Sequence, residues 1–304
     1  MPRSYRYLHY DVFTDRLFGG NQLAVVLDGR GLTSDTMQAI AKEMNFSETT
    51  FVLPAEKEGT DARLRIFTPG EELPTAGHPT VGSTFALARA GVIERGRTTF
   101  VFGENAGPTP VTMTWQGDDL AFVWMTQGLP TFGDPIPDPA RTAAALSLSP
   151  AAVAGTGQPV QVVSCGVPFL FIPLTTRSAV DSVVVNAGVL DALFSNAKAS
   201  AHGVFVFSAQ PGEKTATVYS RMFAPDLGIV EDPATGIASG PLGCYLVRHR
   251  IVPPEKAEAM VSLQGVKMGR PSYVHISIGV RNSEIVSVRV GGEAVLAGEG
   301  TLYV

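Results

Sequence analysis

Pro74-Thr75-Ala76-Gly77-His78-Pro79, preceded by Phe67-Thr68-Pro69, is answered later in the chain by Pro233-Ala234-Thr235-Gly236-Ile237, preceded by Phe223-Ala224-Pro225. Both are Pro-x-x-Gly turns with acidic residues just ahead, Glu71 and Glu72 in one copy and Glu231 and Asp232 in the other. Both run into an apolar, small-residue segment, Val81 to Ala90 and Leu242 to Val247, so a glycine stands where a helix should begin. A turn-to-helix unit present twice predicts two related lobes. Each helix N-terminus would offer unpaired backbone N–H groups and the positive end of a dipole, a ready site for a small anion. A duplication kept only for packing would use the same glycines for tight turns.

Outward from the first turn, residues 62–68 alternate cleanly and predict a strand. Residues 5–12 and 22–27 read as strands around a turn containing Gly19, Gly20 and Asn21. Between 27 and 48, Met37, Ile40, Ala41 and Met44 give a helix one apolar face, with Ser34 or Asp35 as its cap and Asn45 as a left-handed stop. Residues 49–53 are β-branched and aromatic, which places Glu48 at a helix-to-strand junction. The helix after the first turn is apolar nearly all round and closed by Gly91, as expected of a helix wrapped by sheet. In the second copy, a helix starting near Ile237 keeps Pro241 in its first turn, where a missing N–H matters little.

Residues 111–125 and 159–174 are strand-rich, and the tail offers strands at 261–263, 274–280, 285–290 and 300–304. The Pro- and Gly-dense run 130–138 reads as a connector, dividing the chain into an N-terminal lobe, 1–129, and a C-terminal lobe, 130–294, with the strand near 295–304 able to return to the first. A length of 304 residues allows each lobe its own core. With 45% hydrophobic residues, 32 Gly and 22 Pro, short strands and turns are favoured over long bundles, and the class is α+β.

Formal net charge is −5 and no Lys/Arg run occurs, so nucleic acid and anionic membrane lack their electrostatic footprint. Small molecules are the expected partners. The opening Met1-Pro2-Arg3-Ser4-Tyr5 has no apolar signal region and nothing approaches the about 18 apolar residues of a spanning helix, which predicts a cytoplasmic protein. Cys165 and Cys244 lack metal-ligand spacing and read as buried hydrophobes.

Metal-ligand pairs, dinucleotide and P-loop motifs and the Gly-x-Ser-x-Gly elbow are all missing, so no cofactor and no metal is expected and the chemistry falls to side chains. Proton transfer is the favoured class. Glu48, between Phe46 and Phe51, is a candidate general base if partly desolvated, and otherwise an exposed carboxylate. His78, at a helix N-terminus, would be neutral and able to exchange one hydrogen bond, or else a capping or core histidine. Asp232 holds the matching place in the second copy, where it caps the turn or reaches a substrate or His78.

With these residues assembled, the chain resembles the phenazine biosynthesis PhzF-like family from end to end. The resemblance rests on Asp11-Val12-Phe13-Thr14 with Phe18-Gly19-Gly20-Asn21, on Met37-Gln38-Ala39-Ile40-Ala41 and on Asn45-Phe46-Ser47-Glu48-Thr49. It also rests on the two turn regions, with Gly77-His78-Pro79-Thr80 and Glu231-Asp232-Pro233, and on Gln264-Gly265 with Met268-Gly269-Arg270-Pro271-Ser272. It implies a diaminopimelate-epimerase-like fold of two similar lobes, each a curled mixed or antiparallel sheet around a central helix, with the active site in the cleft between them. It further implies a cofactor-independent, homodimeric isomerase whose glutamate, here Glu48, moves a proton between carbons of an unsaturated cyclic hydroxy amino acid such as trans-2,3-dihydro-3-hydroxyanthranilate. His78 and Asp232 would line the site. Gly77, Gly236, Ile237 and Ser47 would meet the substrate, with backbone N–H groups near the glycines taking its carboxylate.

Two departures stand out: Ile237 replaces a common serine, leaving Ser239, on a different face, as the hydroxyl to compensate, and Gln22 replaces a frequent proline. Two other readings share parts of this pattern. An amino acid racemase or epimerase of the two-cysteine type needs a thiol at each helix start, where this chain has His78 and Ile237. A silent binding protein for an anionic metabolite would keep the helix termini and dispense with the base.

Overall fold

Leu8, Tyr10 and Val12 fall on one face of strand β1 (Ser4–Val12), and that face is buried. The computed structural model describes residues 3–197, 201–225 and 229–304, so of the residues named above Met1 and Pro2 lie outside it. The chain divides into two units, Met1–Thr126 with Val290–Val304, and Gln127–Arg289.

In the first unit β1 pairs antiparallel with β2 (Asn21–Val26), and helix α1 (Ser34–Met44) then crosses over so that β3 (Glu48–Pro54) lies parallel to β2. The crossover brings Glu48 opposite Leu23 in the register. Thr33, one residue before the expected cap, is the N-cap: its hydroxyl accepts from the Thr36 N–H, satisfying a donor that Ser34 and Asp35, already helical, cannot reach. Asn45 stops the helix in the left-handed region, φ 52°. Met37, Ile40 and Ala41 bury against Phe51 and Phe67.

β4 (Ala62–Phe67) continues antiparallel to β3, β5 (Glu72–Leu73) folds back on it, and α2 (Gly77–Arg89) follows. β6 (Thr99–Glu104) then runs parallel to β4, leading to the antiparallel pair β7 (Gly107–Gln116) and β8 (Asp119–Gln127). Every residue of α2 from Gly77 to Leu87 is buried. The helix can lie this close to the sheet because Gly82 has no side chain; a Cβ there would come within 2.7 Å of both Leu23 and Val12.

The second unit opens with β9 (Thr131–Ile136), α3 (Pro139–Ala145) and α4 (Pro150–Ala154), followed by β10 (Val160–Ser164) and β11 (Pro168–Pro173). The expected connector is therefore largely a strand: β9 pairs with β10, with its one proline, Pro135, opposite Gln161. α5 (Arg177–Asp181) and α6 (Ala187–Ala197) precede β12 (Val204–Ser208), β13 (Val218–Ala224) and β14 (Ile229–Asp232). Then come α7 (Gly236–Arg248), β15 (Met260–Gln264), β16 (Ser272–Arg281) and β17 (Glu284–Gly292). α7 buries its small and apolar residues against Phe171, Phe205, Phe207, Ile276 and Ile278. Pro241 lies inside α7, five residues past its start at Gly236 and so beyond the expected first turn. It removes one ladder bond, to the Ile237 carbonyl, a loss on the order of 3 kcal/mol that the packing of the buried helix must offset.

The last strand, β18 (Ala294–Tyr303), pairs along β1 from Ser4↔Tyr303 to Val12↔Ala294. The duplication is deeper than the turns. β13, β14, α7, β15 and β16 repeat β4, β5, α2, β6 and β7 in order, and each corresponding strand pair has the same sense. The molecule is thus the α+β, two-lobed fold expected. Among the described residues no helix is long and apolar enough to cross a membrane.

Candidate active site

Glu48 is the first residue of β3 and His78 the second of α2, and the fold brings His78 Nε2 to 3.2 Å from Glu48 Oε2. Glu48 is 8% exposed and His78 3%, so Glu48 is not the exposed carboxylate and His78 is buried with it. On the other side of the ring, His78 Nδ1 lies 3.2 Å from the Asn21 side-chain nitrogen at the start of β2. Burial pushes the His78 pKa down to about 3. The sequence predicts a neutral histidine from the helix dipole; in the structure burial is what lowers it. The imidazole, held neutral by burial, stands 3.2 Å from the Glu48 carboxylate and adds no charge beside it. Ser47 sits half-buried just ahead of β3.

Both duplicated helices begin without a side-chain cap. Thr33, Asp138 and Thr176 cap α1, α3 and α5 through their side chains, whereas α2 and α7, like the short α4, have none. Gly77, His78 and Gly236 are buried all the same. Buried helix starts without caps leave their N–H groups to be met by something other than the helix's own side chains, and an anion suits them best.

The turn before α2 is held from below by Glu104, the last residue of β6, which accepts from Thr75 at 2.5 Å and lies 2.6 Å from the Thr80 hydroxyl. In the second unit the Asp232 carboxylate accepts from Thr235 Oγ1 at 2.5 Å, the turn-capping role. Gln264, closing β15, donates from Nε2 to the Asp232 carbonyl and to Thr235 Oγ1, and its Oε1 accepts from the Thr235 N–H. Gln127 donates to the Gly236 carbonyl at 3.1 Å. Ile237 is partly buried and packs against the unit's apolar core. Ser239 does not replace the missing hydroxyl there, because it is buried and back-bonds to the Thr235 carbonyl at 2.9 Å.

The structure thus joins Glu48 to His78 beside Gly77, and separately gathers Asp232, Gly236 and Ile237. The sequence reading misses Glu104, Gln264, Gln127 and Asn21 as supports. A signal for two of them is present: Glu104 and Gln264 end matching strands of the duplication. Cys165 and Cys244 are free, buried in the second core with their sulfurs 3.9 Å apart, and neither lies in the first turn of α2 or α7. A two-thiol racemase site is therefore not built here. Among the described residues no cluster of three or more His, Cys, Asp or Glu is placed to hold a metal ion.

Residues 10–300 match the model of the phenazine biosynthesis-like protein family, PhzC-PhzF. The chain is 37% identical over 303 residues to an uncharacterized isomerase of Mesorhizobium japonicum, covering 98% of each chain. It is 33% identical to the trans-2,3-dihydro-3-hydroxyanthranilate isomerase of Pseudomonas aeruginosa, over 98% of this chain and 99% of that one. Among solved structures, a PhzF-family phenazine biosynthesis protein of Bacillus anthracis superposes with a TM-score of 0.85 at 26% identity, over 99% of this chain and all of that one.

Proposed function

The chain belongs to the phenazine biosynthesis-like family and is an isomerase, and on that premise we propose that it shifts a proton within a small, carboxylate-bearing, unsaturated cyclic amino acid. Glu48 takes the proton from one carbon and returns it to another. The neutral His78 steadies the carboxylate through their 3.2 Å contact, and the backbone N–H groups at Gly77 and Gly236 receive the substrate carboxylate. Asp232, Ile237 and Ser47 complete the substrate contacts. The reading needs no cofactor, since the base and its partner are side chains of this chain. The observation that carries it is the buried Glu48–His78 pair at the uncapped start of α2.

The relative named for trans-2,3-dihydro-3-hydroxyanthranilate makes that compound the first substrate to try. Proton NMR in heavy water should show its signals lost and deuterium entering the product with wild type, and nothing with Glu48→Gln. Turnover by Glu48→Gln at the wild-type rate would overturn Glu48 as the base. An inert wild type would move the substrate to other unsaturated amino acids. We place the enzyme in the cytoplasm as a homodimer, and sedimentation as a monomer at working concentration would break the second half of that statement.

A further inference from the structure

Glu104 ends β6 with 2% of its surface exposed. Its Oε2 meets the hydroxyl of Thr75, inside the Pro74–Gly77 turn, and its Oε1 meets that of Thr80, in the first turn of α2. Thr109 on β7 brings a third hydroxyl. Glu104 therefore grips the chain on both sides of Gly77 and His78. Counting protons decides its state. Thr80 Oγ1 is 2.6 Å from Glu104 Oε1 and 2.7 Å from the Ala76 carbonyl oxygen, yet a hydroxyl has one hydrogen to give. The carbonyl can only accept, so satisfying both contacts requires a proton on Glu104 that it donates to Thr80. The second unit has a neutral donor in the corresponding place: Gln264, ending β15, gives its amide hydrogens to Thr235 Oγ1 and the Asp232 carbonyl.

We propose that Glu104 is a positioning residue kept as the neutral carboxylic acid, whose hydrogen bond to Thr80 fixes the start of α2 and with it Gly77 and His78. This rests on the reading of His78 and Glu48 as the working pair. Burial pushes the Glu104 carboxyl up, outweighing its hydroxyl partners and the charge of Arg63. Arg63, whose charge acts on Glu104, spends its donors elsewhere, on the Leu64 and Gly103 carbonyls, Asn105 and Glu56. Lys57 lines the same recess, Glu72 takes the Asn105 amide, and His78 on α2 is neutral.

A folded carboxyl that holds its proton above the ordinary glutamate value of about 4.3 adds stability at low pH and loses it as pH rises through the folded value. The test compares wild type, Glu104→Gln and Glu104→Ala by three readouts: melting temperature against pH, the NMR signals of the His78 ring, and kcat and KM with trans-2,3-dihydro-3-hydroxyanthranilate. Expected are a fall in wild-type melting temperature as pH rises above about 4.3 that Glu104→Gln abolishes, and His78 signals moved in Glu104→Ala but restored in Glu104→Gln. In parallel, Glu104→Ala should lower kcat about tenfold to a hundredfold with KM little changed, and the Gln variant should recover it. A Gln variant that fails to fold, or melts as low as the Ala variant at every pH, would show that the anion is required and overturn the neutral acid. An Ala variant with unmoved His78 signals would overturn the positioning role. A wild type that leaves the probe untouched breaks the functional reading instead, while the melting and NMR arms still decide the proposal.

Discussion

The two Pro-x-x-Gly turns share one backbone plan and differ in what surrounds it. The first carries His78 after its glycine, a carboxylic acid beneath it and a carboxylate 3.2 Å from the ring. The second carries Ile237 in the same place and an amide beneath it. Each is preceded by a bidentate Arg–Glu pair, Arg65 with Glu72 and Arg221 with Glu231. Arg65 keeps 18% of its side chain exposed, whereas Arg221 keeps 9% and also donates to the carbonyls of Val180, Asp181 and Val183. One copy concentrates titratable groups and the other concentrates anchoring. A duplicated scaffold can separate the two tasks because both helix starts offer the same backbone donors.

The hardest blow to this division is Glu48→Gln, expected to lower kcat by about 10²–10⁴-fold with KM nearly unchanged, read by NMR turnover. A modest loss would mean the first turn is not where the proton moves. Next comes the paired comparison of Arg221→Met and Arg65→Met by urea unfolding. Removing the buried arginine strands Glu231 and three carbonyls and should cost about 3–5 kcal/mol, against about 1 kcal/mol for its more exposed counterpart. Equal losses would erase the contrast in anchoring.

Acid stability sharpens the contrast further. Because the folded His78 pKa is depressed to about 3, the unfolded chain takes up a proton first as pH falls below about 6.5, and stability is lost at up to about 1.4 kcal/mol per pH unit until the folded value is reached. His78→Gln should flatten that slope in melts between those limits, whereas Ile237→Gln should leave it in place. The smallest effect belongs to Ile237→Ser. A hydroxyl added at the second helix start should lower KM by about fivefold with kcat steady, the worth of one extra hydrogen bond; no change would leave that turn's contribution to its backbone alone.

Much of this division is legible in local chemistry alone. The i, i+3, i+4 face of α1 and the left-handed Asn45 are rules of a few residues, and both hold. The repeated turn marks the two helix starts, and with Glu48 and His78 the heart of the candidate site, for the same reason. What escapes the sequence depends on contacts distant along the chain. Nothing near Glu104 says that Thr75 and Thr80 will meet it, and nothing near Asn21 says that it will reach His78. β9 is hidden by its Pro and Gly content, which signals a loop until a partner strand is present. Pro241 sits deeper in its helix than the local preference predicts because packing around α7 overrides that preference. Ser239 looks available only because sequence does not show which way a hydroxyl turns.

β18 lies along β1, and Arg3 and Val304 exchange hydrogen bonds at 2.8 and 2.9 Å. On the ribosome these neighbours are strangers for a long time. At about 5–20 residues per second, β1 emerges about fifteen seconds to a minute before the strand that covers its edge. Residues 127–289 can meanwhile pair among themselves, so the later-made unit is the one able to fold first during synthesis. The earlier one waits with an open sheet edge, the natural place for a chaperone to bind and for misassembly to start. The same adjacency makes the ends joinable: a circularly permuted chain that links residue 304 to residue 3 and opens elsewhere would synthesise β18 and β1 consecutively and shorten that exposure.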